Sequence, residues 1–454
     1  MAPNTLSSPD AEPKVEGLIR EPLEPLNARM ANIKTETAET APPAPGARPP
    51  TNGQDHKSTA AMRAPTAGIV AARDWLLEHG GDLATASDVL RETIERVCEG
   101  GCTLSRVMVS IRTLHPQVAA ITYAWNAGDH DVEMTPRGYN VLDNDMYLAS
   151  PIRQIHAGQS MIRRRLVDPP AADDFPILAD LRADGATDYI VLPLKFSGNR
   201  VNVVSFTTKL PNGFTDEDVA AIVALARVLA LVLDPLETRR IARALLSTYL
   251  GPDAGRRVLD GLVRRGDGVT IAAALMYTDL RGFTAMSETL SREQVLDLLN
   301  GYFDALAPAV REQGGEILKF VGDGMLTIFP MRDDLDRDRA CRSALQAAKD
   351  GSRALDALNV ERAKENQPPL EIGITLHSGS VSYGNIGTAD RLDFTVIGPA
   401  VNLVSRMQTL CEPLQRRILA SRRFASACHS ELAPIGRHRF KGIADEQQVY
   451  GLPD

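Results

Sequence analysis

A strand-like apolar run that ends on a carboxylate constrains this chain more than any other feature. From Thr270, IAAALMYTDLRGFT carries an unbroken apolar stretch, Ile271 to Tyr277, straight into Asp279. A short continuous apolar run bounded by a turn reads as a buried strand, so its acid stands at the strand's end. Further on, EILKFVGDGMLTIF places two apolar strand-like pieces around Gly322-Asp323-Gly324, a hairpin with Asp323 at its turn. Helical spacing through Val295, Leu298, Leu299, Tyr302, Phe303 and Leu306 separates the two segments, and Gly314 and Gly315 stop it. Two aspartates at neighbouring strand ends suit a hard cation such as Mg²⁺ or Mn²⁺, which takes oxygen ligands and leaves room for substrate phosphates. A solitary Asp-Gly turn, by contrast, is ordinarily a plain hairpin.

A third segment narrows the choice. RLDFTVIGPAVNLVSRM, Arg391 to Met407, ends in helical spacing that puts Asn402 and Arg406 four apart, on one helix face. In isolation such a pair is a solvated face. TDLRGFT, KFVGDG and TVIGPAVNLVSRM together, in this order and at this spacing, resemble the catalytic domain of class III adenylyl and guanylyl cyclases, from about residue 268 to 454.

The resemblance implies an α/β (α+β) domain of ferredoxin-like or palm type with a mainly antiparallel sheet. It makes Asp279 and Asp323, helped by the Leu280 backbone carbonyl, the ligands of two Mg²⁺ or Mn²⁺ ions per site. Asn402 orients the ribose, Arg406 stabilises charge on the α-phosphoryl oxygens, and Lys441 of RFKGIADEQQVYGL contacts phosphate. Lys319 and Thr395 are the base-reading pair: a lysine donates to adenine N1, and a threonine hydroxyl accepts from the amine at position six, whereas guanine reverses both groups. Guanylyl members usually carry an acid at the lysine position. Threonine, where many adenylyl members have aspartate, occurs in a subgroup that includes bicarbonate-responsive cyclases. The family divides each site between two subunits, so a chain with one complete set is expected to act as a homodimer on ATP, releasing 3′,5′-cyclic AMP. The alternatives are a guanylate cyclase, or a catalytically silent nucleotide-binding module that has lost an acid or the arginine. A diguanylate cyclase requires GG[DE]EF where this chain has VGDGM, and no GxxxxGK[ST] loop is present to hold phosphates.

The rest of the chain is sized for more than one core. At 454 residues it exceeds the roughly 250–300 at which single cores stop growing. Residues 1 to 65 lack hydrophobic periodicity and carry Pro42, Pro43, Pro45, Pro49 and Pro50, which predicts a disordered leader. Over 66–235, helical spacing is followed by strand-like RVMVSIRT and VAAITYAW about a His115–Pro116 turn, then TDYIVLPLKF and VNVVSFTTK about SGNR. Thr215 then caps an apolar helix with Asp216, Glu217 and Asp218 in its first turn. This order resembles the GAF family of small sensory domains and implies an unidentified small-molecule or ion effector, with His130 and His156 as candidate contacts. Residues 236–267 read as a helical linker able to pair with its copy in a second chain.

Net charge −8 argues against a nucleic-acid partner, which needs a basic face. Five scattered cysteines suit a reducing cytoplasm, and Cys98 and Cys102 have no second pair to complete a metal site. The start lacks a secretory signal, and the apolar run Val219–Leu233 falls short of the ~20 residues that span a bilayer, so no membrane is expected. His377 reads as structural.

Overall fold

The computed structural model describes residues 65–453, except 172–173, 332–335 and 429–430. The leader expected over residues 1 to 65 lies outside them but for Pro65, which opens the first helix.

The N-terminal part is built on a six-stranded sheet. Helices α1 (Pro65–His79) and α2 (Ala86–Glu99) precede strands β1 (Leu104–Arg112), β2 (Ala120–Asn126) and β3 (Glu133–Arg137). Short helices α3 (Asp145–Leu148) and α4 (Pro151–His156), strand β4 (Ile162–Arg165) and helix α5 (Pro176–Ala183) lead to β5 (Asp188–Lys195) and β6 (Val201–Thr208). The order is β3-β2-β1-β6-β5-β4, antiparallel throughout. Both expected hairpins are present, with Arg112 opposite Ala120 and Lys195 opposite Val201. On one face Ile69, Leu76, Leu90 and Ile94 meet Val107, Val109 and Val204. On the other, Ile155, Leu178 and Leu181 cover Tyr189, Val191 and Val203. Burying each such side chain is worth about 1.5–3 kcal/mol.

Helix α6 differs from expectation. The sequence separates an apolar closing helix from a linker; the structure makes them one 35-residue helix, Asp216–Leu250. Thr215 and Asp218 form a reciprocal capping box at its start. Pro235 is accommodated inside because the carbonyl it leaves unpaired, four residues back at Leu231, lies on a face open to water. By length and composition alone this helix is long and apolar enough to cross a membrane, which corrects the shorter span read from the sequence. Here Ile222, Leu225, Leu229 and Leu233 of its apolar stretch are packed into the core shared with α1 and α2. Gly251, at φ +95°, ends the helix, and α7 (Pro252–Leu259) follows at once.

The C-terminal part centres on β7 (Gly268–Leu280) and β10 (Ile372–Gly387), paired along their length from Gly268–Gly384 to Leu280–Ile372. Helices α8 (Phe283–Thr289) and α9 (Arg292–Glu312) link β7 to the hairpin β8 (Glu316–Val321) and β9 (Gly324–Met331), and α10 (Arg337–Lys364) precedes β10. After β10 come β11 (Leu392–Ile397), α11 (Pro399–Met407), β12 (Ile418–Ser421), α12 (Arg422–Ala425), β13 (Ala433–His438) and β14 (Gln447–Gly451). The path runs β13-β14-β12-β10-β7-β9-β8, with β11 paired to β10, and only the β10–β12 pairing is parallel. This is the expected α+β architecture. Helices α9 and α10 cover one face through Tyr302, Leu306, Ala344 and Leu345; α7 and α11 cover part of the other through Ala254, Ala400 and Val404.

Candidate active site

The acid pair is assembled by two turns. β7 delivers Asp279 one residue before its end, and β9 pairs with the same strand, with Met325 opposite Thr278. The β8–β9 turn, with Gly322 at φ +62°, therefore lies beside the end of β7. Asp323 Oδ2 accepts a hydrogen bond from the Leu280 amide at 3.1 Å. Gly324 is required here: a Cβ would stand 2.5 Å from the Tyr277 hydroxyl and 3.2 Å from Asp279 Oδ1. Burial, and then the neighbouring Asp323 carboxylate, push the Asp279 carboxyl up to about 6.

Tyr277, two residues before Asp279 on the same strand face, was not singled out in the sequence. Burial and both aspartates raise its phenol. The acids face a cleft also lined by Arg281, Gly282, Phe283, Gln408 and Thr409. Arg281 braces this corner by donating to the Cys411 and Arg416 carbonyls at 2.8 and 2.9 Å. No Lys or Arg among the described residues is shown paired with either carboxylate, and this crowded donor set fits a hard divalent ion, whose charge relieves their repulsion. Among the described residues no group of three or more His, Cys, Asp or Glu forms a richer metal cluster.

A second cluster forms where β8 meets β11. Lys319 Nζ stands 3.3 Å from Asp393 Oδ2. Asp393 and Thr395 are two apart on β11 and so point to one face. Thr395 is only 4% exposed, and its Oγ1 has no hydrogen-bond partner. A buried hydroxyl left unpaired costs about 1–3 kcal/mol. Asp393 is the residue here that sequence reasoning missed; its place in RLDFTVIG, two before Thr395, was the available signal.

The third cluster lies on α11, where Asn402 is exposed and Arg406 half-buried on the same face. Phe440, buried against Leu403 and Met407, fastens the C-terminal loop to this helix and so sets Lys441 and Gly442 beside Arg406. A Cβ on Gly442, at φ +77°, would meet Arg406 Nη1 at 2.9 Å. The structure thus places Gly442, the residue after Lys441, against Arg406, with Asn402 one turn away on the same helix. No described hydrogen bond or ion pair joins the acid pair to Lys319, Thr395, Asn402 or Arg406 within the chain. His377, by contrast, is 8% exposed and bonded through Nδ1 to Ser421 Oγ at 2.7 Å, and burial lowers it to about 4.

Residues 268–452 match the family described as "Adenylate and Guanylate cyclase catalytic domain". They form a class III cyclase catalytic domain. Its curated relatives include an adenylate cyclase of Anabaena cylindrica, 36% identical over 34% of this chain and 30% of that protein. Adenylate cyclase 1 of Rhizobium meliloti (strain 1021) is 29% identical over 38% of this chain and 26% of that protein. The chain therefore spans less than a third of the length of these relatives. Among solved structures, the adenylyl cyclase CyaB from P. aeruginosa is 28% identical, with a TM-score of 0.38, over 41% of this chain and 96% of that one. The cyclase domain accounts for β7 to β14; residues 65–267 fall outside the match.

Proposed function

We propose that this protein is an adenylate cyclase: a homodimer that converts ATP to 3′,5′-cyclic AMP and pyrophosphate under control of its N-terminal region. The reading is carried by Lys319 standing beside the strand that holds the buried, unpaired Thr395 hydroxyl. A cationic donor and a hydroxyl acceptor match adenine N1 and its exocyclic amine, whereas guanine at the same place offers a donor to the lysine and an acceptor to the threonine.

Asp279, Asp323 and the Leu280 carbonyl would hold Mg²⁺ or Mn²⁺, two ions per site in this reading. When bound, these lower the pKa of the ribose 3′-hydroxyl and neutralise the triphosphate. The 3′-oxygen attacks the α-phosphorus in line, its proton is lost, and the bond to pyrophosphate breaks. Arg406 donates to the α-phosphoryl oxygens as charge grows there, and its loss should cost about 10²–10³ in kcat. Asn402 orients the ribose, and Lys441 beside Arg406 meets the phosphates. That no described hydrogen bond or ion pair within one chain joins the acid pair to Lys319, Thr395, Asn402 or Arg406 supports a site shared across a two-fold axis, which repeats whatever it builds. The N-terminal antiparallel sheet, with helices on both faces, supports a GAF-like sensory domain that receives a small-molecule or ion effector in the cytoplasm.

Purified full-length protein incubated with ATP or GTP and Mn²⁺, with products resolved by mass, tests the proposal. Cyclic AMP from ATP in clear excess over cyclic GMP from GTP supports it. Cyclic GMP as the main product, or no cyclic product from either nucleotide, overturns it.

A further inference from the structure

Two carboxylates, Glu237 buried and Glu316 half-buried, hold the two ends of the segment that runs from the middle of α6 to the α6–α7 junction, the first against the N-terminal sheet and the second as part of the C-terminal one. At the sensory end Glu237, one residue past the turn that contains Pro235, is 1% exposed. It accepts from the Tyr123 hydroxyl of β2 at 2.7 Å and from Arg240 Nε at 2.6 Å. Arg240 in turn donates to Thr113 Oγ1, just beyond β1, at 3.2 Å. Asp234, one turn earlier, accepts from the Ser197 amide at 2.7 Å and from Arg200 at 2.8 Å. From Glu237 the helix runs unbroken to Leu250, about 20 Å at ~1.5 Å per residue.

At the catalytic end the helix reverses into α7 with little slack. A Cβ on Gly255 would come within 2.8 Å of the Leu246 carbonyl carbon, so α7 is pressed onto the last turns of α6. Glu316, the first residue of β8, receives this junction. Its Oε1 accepts from the Asp253 amide at 3.2 Å, and its Oε2 accepts from the Tyr383 hydroxyl of β10 at 3.3 Å. Gly251 lies against the same carboxylate, at a distance where a Cβ would stand 3.0 Å from Oε1. Arg257 closes the corner, bonded to Asp253 at 2.6 Å and stacked 5.4 Å above the Tyr383 ring.

β8 is also the strand that carries Lys319 and leads into the turn holding Asp323. Its pairing with β9 slips between Ile317 and Lys319, so the segment next to Glu316 departs from a regular ladder.

Building on the cyclase reading, we infer that Glu316 is a positioning residue that ties the α6–α7 junction to β8. Through it, a change in how the sensory sheet holds Glu237 is delivered to Lys319 and to the Asp323 turn. A carboxylate suits the task because it accepts from the first turn of α7 and from Tyr383 together, joining the junction to β8 and β10 at one point.

Hydrogen exchange of the β8–β9 hairpin in the full-length protein tests this without relying on catalysis. Four chains are compared: unsubstituted, Tyr123→Phe, Glu316→Ala, and both. Tyr123→Phe removes only the hydroxyl that holds Glu237. It should change hairpin exchange at least threefold when Glu316 is present and leave it unchanged in the Glu316→Ala background. Glu316→Gln, which keeps an acceptor for the Asp253 amide, should restore part of the response. If Glu316→Ala does not fold, Glu316→Met, which fills similar space but accepts no hydrogen bond from the Asp253 amide, replaces it as the uncoupled background. An equal response in both backgrounds, or none in either, overturns the inference. Failure to make a cyclic nucleotide would count against the enzyme reading alone, because the exchange measurement stands apart from it.

Discussion

The Leu280 amide donates to Asp323 Oδ2 at 3.1 Å, tying the hairpin turn to the residue that follows Asp279. One backbone hydrogen bond thus holds two carboxylates side by side although they are 44 residues apart, 323 − 279. The same contact crowds two negative charges, and the chemistry of the site follows from the tension between these effects.

The first prediction concerns metal and pH. Asp279 in the folded, metal-free protein is raised from 3.8 to about 6, so folding binds its proton more tightly than the unfolded chain does. The stability this contributes is fully present below about pH 4 and is lost as pH rises through about 6. At pH 7.5 the ionised pair is a cost of about 1 kcal/mol once solvent screening of a partly exposed group is allowed for. Mn²⁺ should therefore raise the melting temperature more at pH 7.5 than at pH 5, and Asp279→Asn should stabilise the metal-free protein at pH 7.5 while abolishing that increment. Equal Mn²⁺ shifts at both pH values would contradict this.

Much of this arrangement was legible in the sequence, and the reason is local. Asp279, Asp323, Asn402 and Arg406 each sit in a short segment whose own pattern states where the strand, turn or helix begins. Three features were not legible. Asp393 gains meaning only when β8 and β11 are brought together across 74 residues. Gly442, at φ +77°, lies against Arg406, a tertiary contact with no local signature. The continuity of α6 through Pro235 rests on the orphaned Leu231 carbonyl facing water, which only the packed structure shows.

Base selection gives a second prediction. If Lys319 and Thr395 read the base as proposed, they act away from the reacting phosphorus, so weakening them removes binding shared by ground and transition states. Lys319→Glu should raise the KM for ATP about tenfold or more, with a smaller change in kcat, and should shift the ratio of kcat/KM toward GTP. Thr395→Ala should act in the same direction more weakly. Steady-state kinetics with both nucleotides measures this, and an unchanged ATP-to-GTP ratio in Lys319→Glu would remove these residues from base reading.

His377 provides a stability prediction independent of catalysis. Burial, then the nearby Arg423, depress it from 6.5 to about 4, so the folded state holds it neutral. Its contribution is present above about pH 6.5 and is lost as pH falls toward about 4, up to about 3 kcal/mol in all. His377→Gln should flatten the dependence of urea-unfolding free energy on pH across that window. An unchanged slope would mean that other groups carry the acid sensitivity.

The central claim is that each active site is assembled from two chains, the acids from one and Arg406 with Asn402 from the other. Mixing Asp279→Ala with Arg406→Ala protein, after dissociation and reassociation, is the most direct measurement. Each variant alone should be at least a hundredfold less active than the unsubstituted enzyme, and the mixture should recover toward a quarter of its activity, since half of the dimers are mixed and each holds one intact site. Mixtures that remain as inactive as their parents, with mixed dimers demonstrated by mass, would contradict the shared site.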